Sequence, residues 1–228
     1  MNMKINRKNI LQVAVVAFIM IFLIAILPMT KNVVLAEEQK PIKLSKPQMD
    51  GNSLLQLLAK RSSSRSFSSD SLPINVLSNM LWAAFGINRL ESGKRTAPSA
   101  KNLQEIDIYV ATATGLYLYD ARSDLLKPIL AQDVRGLTGT QAFVKDAAVN
   151  LIYVADYSKM SSLSDEIKLM YAAADTGFIS ENVYLYCASE GLSTVVRAGI
   201  DRQPLAKAMG LRPDQRIILA QSVGYPVK

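Results

Sequence analysis

Hydrophobic residues are distributed along the chain in two different ways. From Ile10 to Met29 the sequence is nearly unbroken hydrocarbon, interrupted only by Gln12 and Pro28. From Ser53 onward, apolar residues recur with helical or alternating periods. Ser53 is placed to cap a short helix over 54–60 with Leu54, Leu55, Leu57 and Leu58 on its apolar side. Pro73 opens a second helix, whose stripe Ile74, Leu77, Leu81, Ala84 runs up to Gly86. Residues 94–104 read as a loop containing Pro98. Ile106–Thr112 alternates Ile106/Ile108/Val110 against Asp107/Tyr109/Ala111, and with Leu116–Tyr119 after Gly115 it predicts a hairpin. A helix is expected over Thr138–Asp146, and a fully buried strand over Ala148–Ala155. A long helix should run from Asp165 to Glu190 and stop at Gly191. A strand over Thr194–Ala198, a short helix Pro204–Met209 stopped by Gly210, and a last strand Arg216–Val223 complete the pattern. Helices and strands are mixed without strict alternation. The expected class is therefore α+β, with a central, mainly antiparallel sheet flanked by helices and preceded by one N-terminal apolar helix.

The N-terminal run changes the picture of where the domain works. Lys4, Arg7 and Lys8 precede it, which keeps the start of the chain in the cytoplasm and sends the rest outward. About 20 apolar residues span a bilayer core, so a retained anchor fits. Val34-Leu35-Ala36 before Glu37-Glu38 has the small-residue character of a cleavage site, so a cleaved signal peptide fits as well. Residues 1–36 are thus expected to be a signal peptide or membrane anchor. Residues 37–52, polar and holding Pro41 and Pro47, are expected to be a linker, with a single domain over 53–228. On either reading the domain lies outside the cytoplasmic membrane.

The charge of +7 is mostly a property of that leader. Residues 1–36 carry four basic residues and no acid, leaving 22 basic against 19 acidic residues in the remainder. That small excess gives no footprint for nucleic acid. The 228 residues contain no His and one Cys, Cys187. This excludes Ser-His-Asp and Cys-His nucleophiles, His metal ligands, thiolate clusters and internal disulfides. Neither nucleotide-loop fingerprint nor an S-x-x-K nucleophile is present. No metal site is expected, and no protein side chain stands out as a catalytic acid, base or nucleophile. Ser99-Ala100-Lys101 leaves a Ser/Lys hydrolase as a minor alternative. An organic cofactor is the natural source of reactivity.

Four segments carry candidate chemistry. Arg61-Ser62-Ser63-Ser64-Arg65 places two guanidinium groups and three hydroxyls in five residues, a donor set suited to phosphate and equally to a solvated loop. Pro98–Gln104 gathers Lys101, Asn102 and Gln104 before a strand, groups able to bond a flat heterocycle or simply to make a turn. Ser189-Glu190-Gly191-Leu192 lies at a helix-to-strand turn, where glycine permits close approach of a ligand or merely ends a helix. Val223-Gly224-Tyr225-Pro226-Val227-Lys228 closes the chain with a basic residue.

Taken together and in this order, these segments resemble the nitroreductase-like family of FMN oxidoreductases. R-S-S-S-R-S-F at Arg61–Phe67, L-W-A-A-F-G-I at Leu81–Ile87, the P-S-A-x-N-x-Q loop within Arg95–Gln104, Asp175-Thr176-Gly177 through Asn182, Glu190–Thr194 and V-G-Y-P carry the likeness. Tyr109-Val110 with Gly115–Asp120 is similar to the subgroup containing azoline-oxidising dehydrogenases. The resemblance implies a homodimer with FMN at each subunit interface. It also implies ping-pong hydride transfer to or from a small-molecule or peptide substrate, and NAD(P)H as a possible electron donor. Arg61, Ser62 and Ser63 would hold the FMN phosphate, with Lys228 helping. Arg65 would face N1 and O2 of the ring, and Asn102 and Gln104 the pyrimidine edge. Gly191 would offer its N–H to N5, with Glu190 alongside. The alternative is a flavin-binding or partner-binding protein without turnover.

Overall fold

A computed structural model describes residues 53–227. The expected leader, with its expected apolar helix, the expected linker and Lys228 lie outside the described residues. The elements are α1 (Ser53–Lys60), α2 (Ile74–Phe85), β1 (Ile87–Arg89), β2 (Lys94–Arg95), β3 (Ile106–Thr112), β4 (Gly115–Asp120), β5 (Leu125–Leu130), β6 (Val149–Asp156), α3 (Asp165–Glu190), β7 (Ser193–Arg197), α4 (Arg202–Met209) and β8 (Gln215–Gly224). β1 and β2 form a small antiparallel ribbon. The main sheet has the order β5-β4-β3-β6-β8-β7, and every neighbouring pair is antiparallel. Among the described residues no helix is long and apolar enough to cross a membrane.

Both sheet faces are covered, which explains why its central strands are apolar on both sides. On β3, Ile106, Ile108 and Val110 pack with Leu77, Leu81 and Phe85 of α2 and Ile179, Val183 and Cys187 of α3. Tyr109 and Ala111 point the other way, to Leu205 and Met209 of α4. All eight residues of β6 are buried, as its apolar run predicts.

Beyond the short ribbon of β1 and β2, where residues 94–95 are expected in a loop, two elements depart from the sequence pattern. No α-helix forms over Thr138–Asp146, where only a short 3-10 turn, Ala142–Lys145, is present. The carbonyl of Thr138 accepts from Arg197 Nη1 at 2.6 Å, which ties the start of this segment to β7. Gly139 packs so closely on that guanidinium that a Cβ there would collide with it. Arg197, buried without a carboxylate, is satisfied by Thr138, Asn150 and Ser222, and burial lowers its pKa to about 10. The second departure is β5, which the periodicity did not mark. It is an edge strand with exposed Leu125 and Ile129, and it holds Pro128, a residue edge strands tolerate.

Candidate functional site

The segment after α1 is held against the C-terminal part of α3. The Arg61 N–H closes α1 onto the Leu57 carbonyl at 2.8 Å. Its guanidinium carbon lies 5.3 Å from the centre of the Tyr184 ring, a cation–π contact. Tyr184 also reaches Ser63, with 2.9 Å between the two hydroxyl oxygens. The same phenol oxygen accepts from the Val196 N–H at 2.9 Å. Ser64 N–H donates to the Thr194 carbonyl, and Ser68 N–H to the Tyr225 carbonyl, both at 2.9 Å. The serine-rich stretch is thus stitched to the start of β7 and to the chain end, while Ser62 and Arg65 face solvent.

Gly191 closes α3 in the left-handed conformation, at φ 68°. Its N–H donates to the Cys187 carbonyl, which also accepts from Leu192 N–H at 2.9 Å. A side chain at Gly191 would meet nothing within 4 Å, so the backbone angle and not crowding favours glycine. Gly191 lines an open cleft of about 820 Å³ with Ser68, Ser69, Asp70, Tyr225 and Pro226. Glu190 is exposed beside it.

The Pro98–Gln104 loop is held by a different set of contacts. Lys101, Asn102 and Gln104 all have positive φ, at 53°, 55° and 48°. Non-glycine residues adopt this conformation only where their surroundings over-determine it. Gln104 supplies much of that constraint. Its Oε1 accepts from Arg95 Nε at 2.8 Å, and its Nε2 donates to the Gly93 carbonyl and to Asn102 Oδ1, each at 3.1 Å. Arg95 in turn donates to the Phe85 carbonyl at 2.8 Å and stacks 4.4 Å from that ring's centre. Because Asn102 Oδ1 is taken by Gln104, the amide is oriented with Nδ2 as the group available to an outside acceptor. Ser99 Oγ accepts from the Gln104 N–H at 3.1 Å, which makes it part of the loop's own bonding.

The sequence pattern of the nitroreductase family matches residues 58–225. The chain belongs to the nitroreductase family. It is 29% identical over 164 residues to a protein named as a nitroreductase, MJ1384 of Methanocaldococcus jannaschii, covering 68% of this chain and 82% of that one. A solved structure named as a nitroreductase from Ralstonia eutropha JMP134 is 39% identical, with a TM-score of 0.74 over 83% of this chain and 88% of that one. A Desulfovibrio desulfuricans protein solved in complex with FMN shares the fold at 20% identity, with a TM-score of 0.56 over 78% of this chain and 88% of that one.

In this nitroreductase-family chain the expected site residues fall into two groups. Arg61, Ser63, Glu190 and Gly191 gather at the C-terminal end of α3. Asn102 and Gln104 are tied to its middle, because the Ala100 N–H donates to Asp175 Oδ2 at 2.8 Å. From Asp175 to Gly191 the helix rises about 24 Å at 1.5 Å per residue, more than the width of one flavin ring. Neighbouring contacts agree: Tyr186 hydroxyl reaches the Val76 carbonyl near the start of α2, and Asn182 reaches the Ala84 carbonyl near its end. The sequence reading missed Tyr184 and gave Asp175 no site role beyond its place in the family motif; both occupy buried positions of α3. The available signal was Asp175 itself, a carboxylate in the otherwise apolar line Ala172, Ile179, Val183, Cys187.

Proposed function

We propose that this chain works as an FMN-dependent oxidoreductase in the form of a homodimer, with each flavin bound between two copies. The observation that carries the reading is the division of the expected site along α3, where the Asn102 loop is tied at Asp175, about 24 Å of helix rise from Gly191. The outward face of α3 supports it. Leu169, Met170 and Phe178 are more than half or half exposed, and Ala173, Ala174 and Gly177 lie beside them. This apolar and small-residue strip would bury itself against a second copy.

The residues present fit FMN. Arg61 offers a fixed guanidinium for the phosphate, held by its contact with Tyr184. The Val196 N–H, the Tyr184 hydroxyl and Ser63 form a chain that leaves the Ser63 proton for a phosphate oxygen. Arg65, free in solvent, supplies positive charge for the ring's N1 and O2 side, and Lys228 adds to the phosphate charge. Asn102 presents Nδ2 as a donor to a carbonyl oxygen of the pyrimidine edge. Gln104 acts through Asn102, since both ends of its amide are engaged within the loop. When bound, FMN supplies hydride transfer at N5, in ping-pong fashion, between a donor such as NAD(P)H and a small-molecule or peptide substrate. The chain supplies binding, charge and exclusion of water, and needs no histidine for these tasks.

One observation favours the reading of a flavin-binding protein without turnover: the Gly191 N–H is already bonded to Cys187. The leader places the reading outside the cytoplasmic membrane, with residues 1–36 cleaved or retained as an anchor and 37–52 as linker. Mass measurement of the protein from membrane and soluble fractions distinguishes the two. The primary test is the visible spectrum and molar mass of the purified chain with and without FMN. Flavin absorption that co-elutes with a dimer is expected, and reduction by a screened donor followed by reoxidation shows turnover. A colourless monomer that ignores FMN refutes both flavin readings, and bound FMN that no donor reduces leaves the carrier reading.

A further inference from the structure

Glu105, the residue after the loop, is a buried carboxyl with 0% exposure. Neither of its oxygens has a hydrogen-bond partner among the described residues. It faces Asp175 of α3, itself only 2% exposed. Asp175 is the acceptor that ties the Ala100 N–H to the helix at 2.8 Å. The cation facing the pair is Lys159, in the turn after β6, whose Nζ is 3.1 Å from the Gln104 carbonyl and 3.2 Å from Asp107 Oδ1. Farther out stand Asp107, Asp156 and Arg95. Two buried carboxyls in contact do not both ionise readily. Glu105, whose two oxygens have no hydrogen-bond partner within bonding geometry among the described residues, is the member suited to the proton.

We propose that Asp175, backed by a protonated Glu105, is the positioning residue of the Asn102 loop: it clamps the Ala100 amide to α3 and so holds Lys101 and Asn102 in the left-handed conformation that presents the Asn102 amide to flavin. The proposal rests on the flavin reading above. Burial and, less strongly, Asp175 push the Glu105 carboxyl up to about 7, against the pull of its own backbone N–H and, more weakly, of Lys159. Near and above that pH a buried negative charge appears on Glu105 beside the Asp175 carboxyl, and the loop loosens without any change at the groups that touch flavin.

The test pairs hydrogen exchange at the Ala100, Lys101 and Asn102 amides of the flavin-free chain with FMN affinity, read by flavin fluorescence across the same pH range. In the wild type, Ala100 protection and FMN affinity should both fall, affinity by about tenfold between roughly pH 6 and pH 8.5, as one proton leaves. Glu105→Gln keeps a neutral partner for Asp175 and should remove that slope from both measurements. Asp175→Ala should lose Ala100 protection and FMN affinity at every pH, and Asp175→Asn, which retains an amide acceptor, should restore part of each. An Ala100 amide equally protected in wild type and Asp175→Ala overturns the clamp. A wild-type slope that persists in Glu105→Gln overturns the role of Glu105, and this variant decides the matter should Asp175→Ala fail to fold. If the wild type binds no FMN at any pH, the flavin reading fails with the presentation of Asn102, while Ala100 exchange still decides whether the clamp exists.

Discussion

Arg61, Ser63 and Tyr184 form a small unit in which each side chain restrains the next, and the consequences of breaking it differ by residue. Arg61→Ala should weaken FMN by about 1.5–3 kcal/mol, the range for a hydrogen bond to a charged group. Riboflavin, lacking the phosphate, should bind almost as before; equal losses in titrations of the two would remove Arg61 from the phosphate site. Tyr184→Phe deletes the acceptor of the Val196 N–H and the partner of Ser63. The expected loss is about 1–2 kcal/mol of folding stability, together with weaker FMN binding, read by denaturant unfolding and flavin titration. Among the described residues, Arg65 is exposed and has no hydrogen bond or ion pair holding it in place. Arg65→Ala should leave stability within about 0.5 kcal/mol while lowering the flavin reduction potential, because its charge favours the reduced anion. An unchanged potential in a spectroelectrochemical titration would sink that role.

The long helix α3 is the element on which both halves of the site depend. Asp165 and Glu166 lie in its first turn, where negative charge opposes the helix dipole favourably, and Ser164 accepts from the Ile167 N–H at its start. Gly191 ends it in the left-handed conformation, leaving β7 to start two residues later. Gly191→Ala should cost about 1–2 kcal/mol through backbone strain alone, since its Cβ meets open space. A melting temperature equal to the wild type would show that the turn relaxes by another route. The element boundaries were legible in the sequence because caps and periods agree: Ser53, Pro73, Gly191 and Gly210 sit at the ends they were read to mark. Thr138–Asp146 was not legible because a residue far along the chain, Arg197, ties the segment to β7 and packs closely against Gly139. β5 was missed because an exposed edge strand carries little alternation.

For the whole molecule, the proposed homodimer would bury the exposed strip on α3 against a second copy. Phe178→Glu, at the C-terminal end of that strip, should shift the proposed dimer to monomer in light scattering and lose FMN, while the monomer keeps its circular dichroism. Retained FMN in a monomer would place the flavin within one copy and refute the shared site. A second consequence is the dependence of stability on pH. Glu105 moves from an ordinary value near 4.5 in the unfolded chain to about 7 when folded. Between those values the folded chain holds more protons than the unfolded one, so stability falls as pH rises from about 4.5 to about 7 and then levels. The change attributable to Glu105 is up to about 3 kcal/mol, and Glu105→Gln should flatten that part of a urea-unfolding series across the range.

By itself the sequence determined the class, the strand-and-helix order of most elements, the family and the residue types of the site, because these rest on period, caps and local donor sets that lie within a few residues of one another. The tertiary structure decided which of those residues meet. It put Arg61 and Ser63 on Tyr184, placed Gly191 at one end of α3 and Asn102 at its middle, spent the Gln104 amide inside its own loop, and set Glu105 against Asp175 in the core. Those contacts join positions tens of residues apart, and no local pattern of polarity records which distant side chain will supply a partner once both are buried.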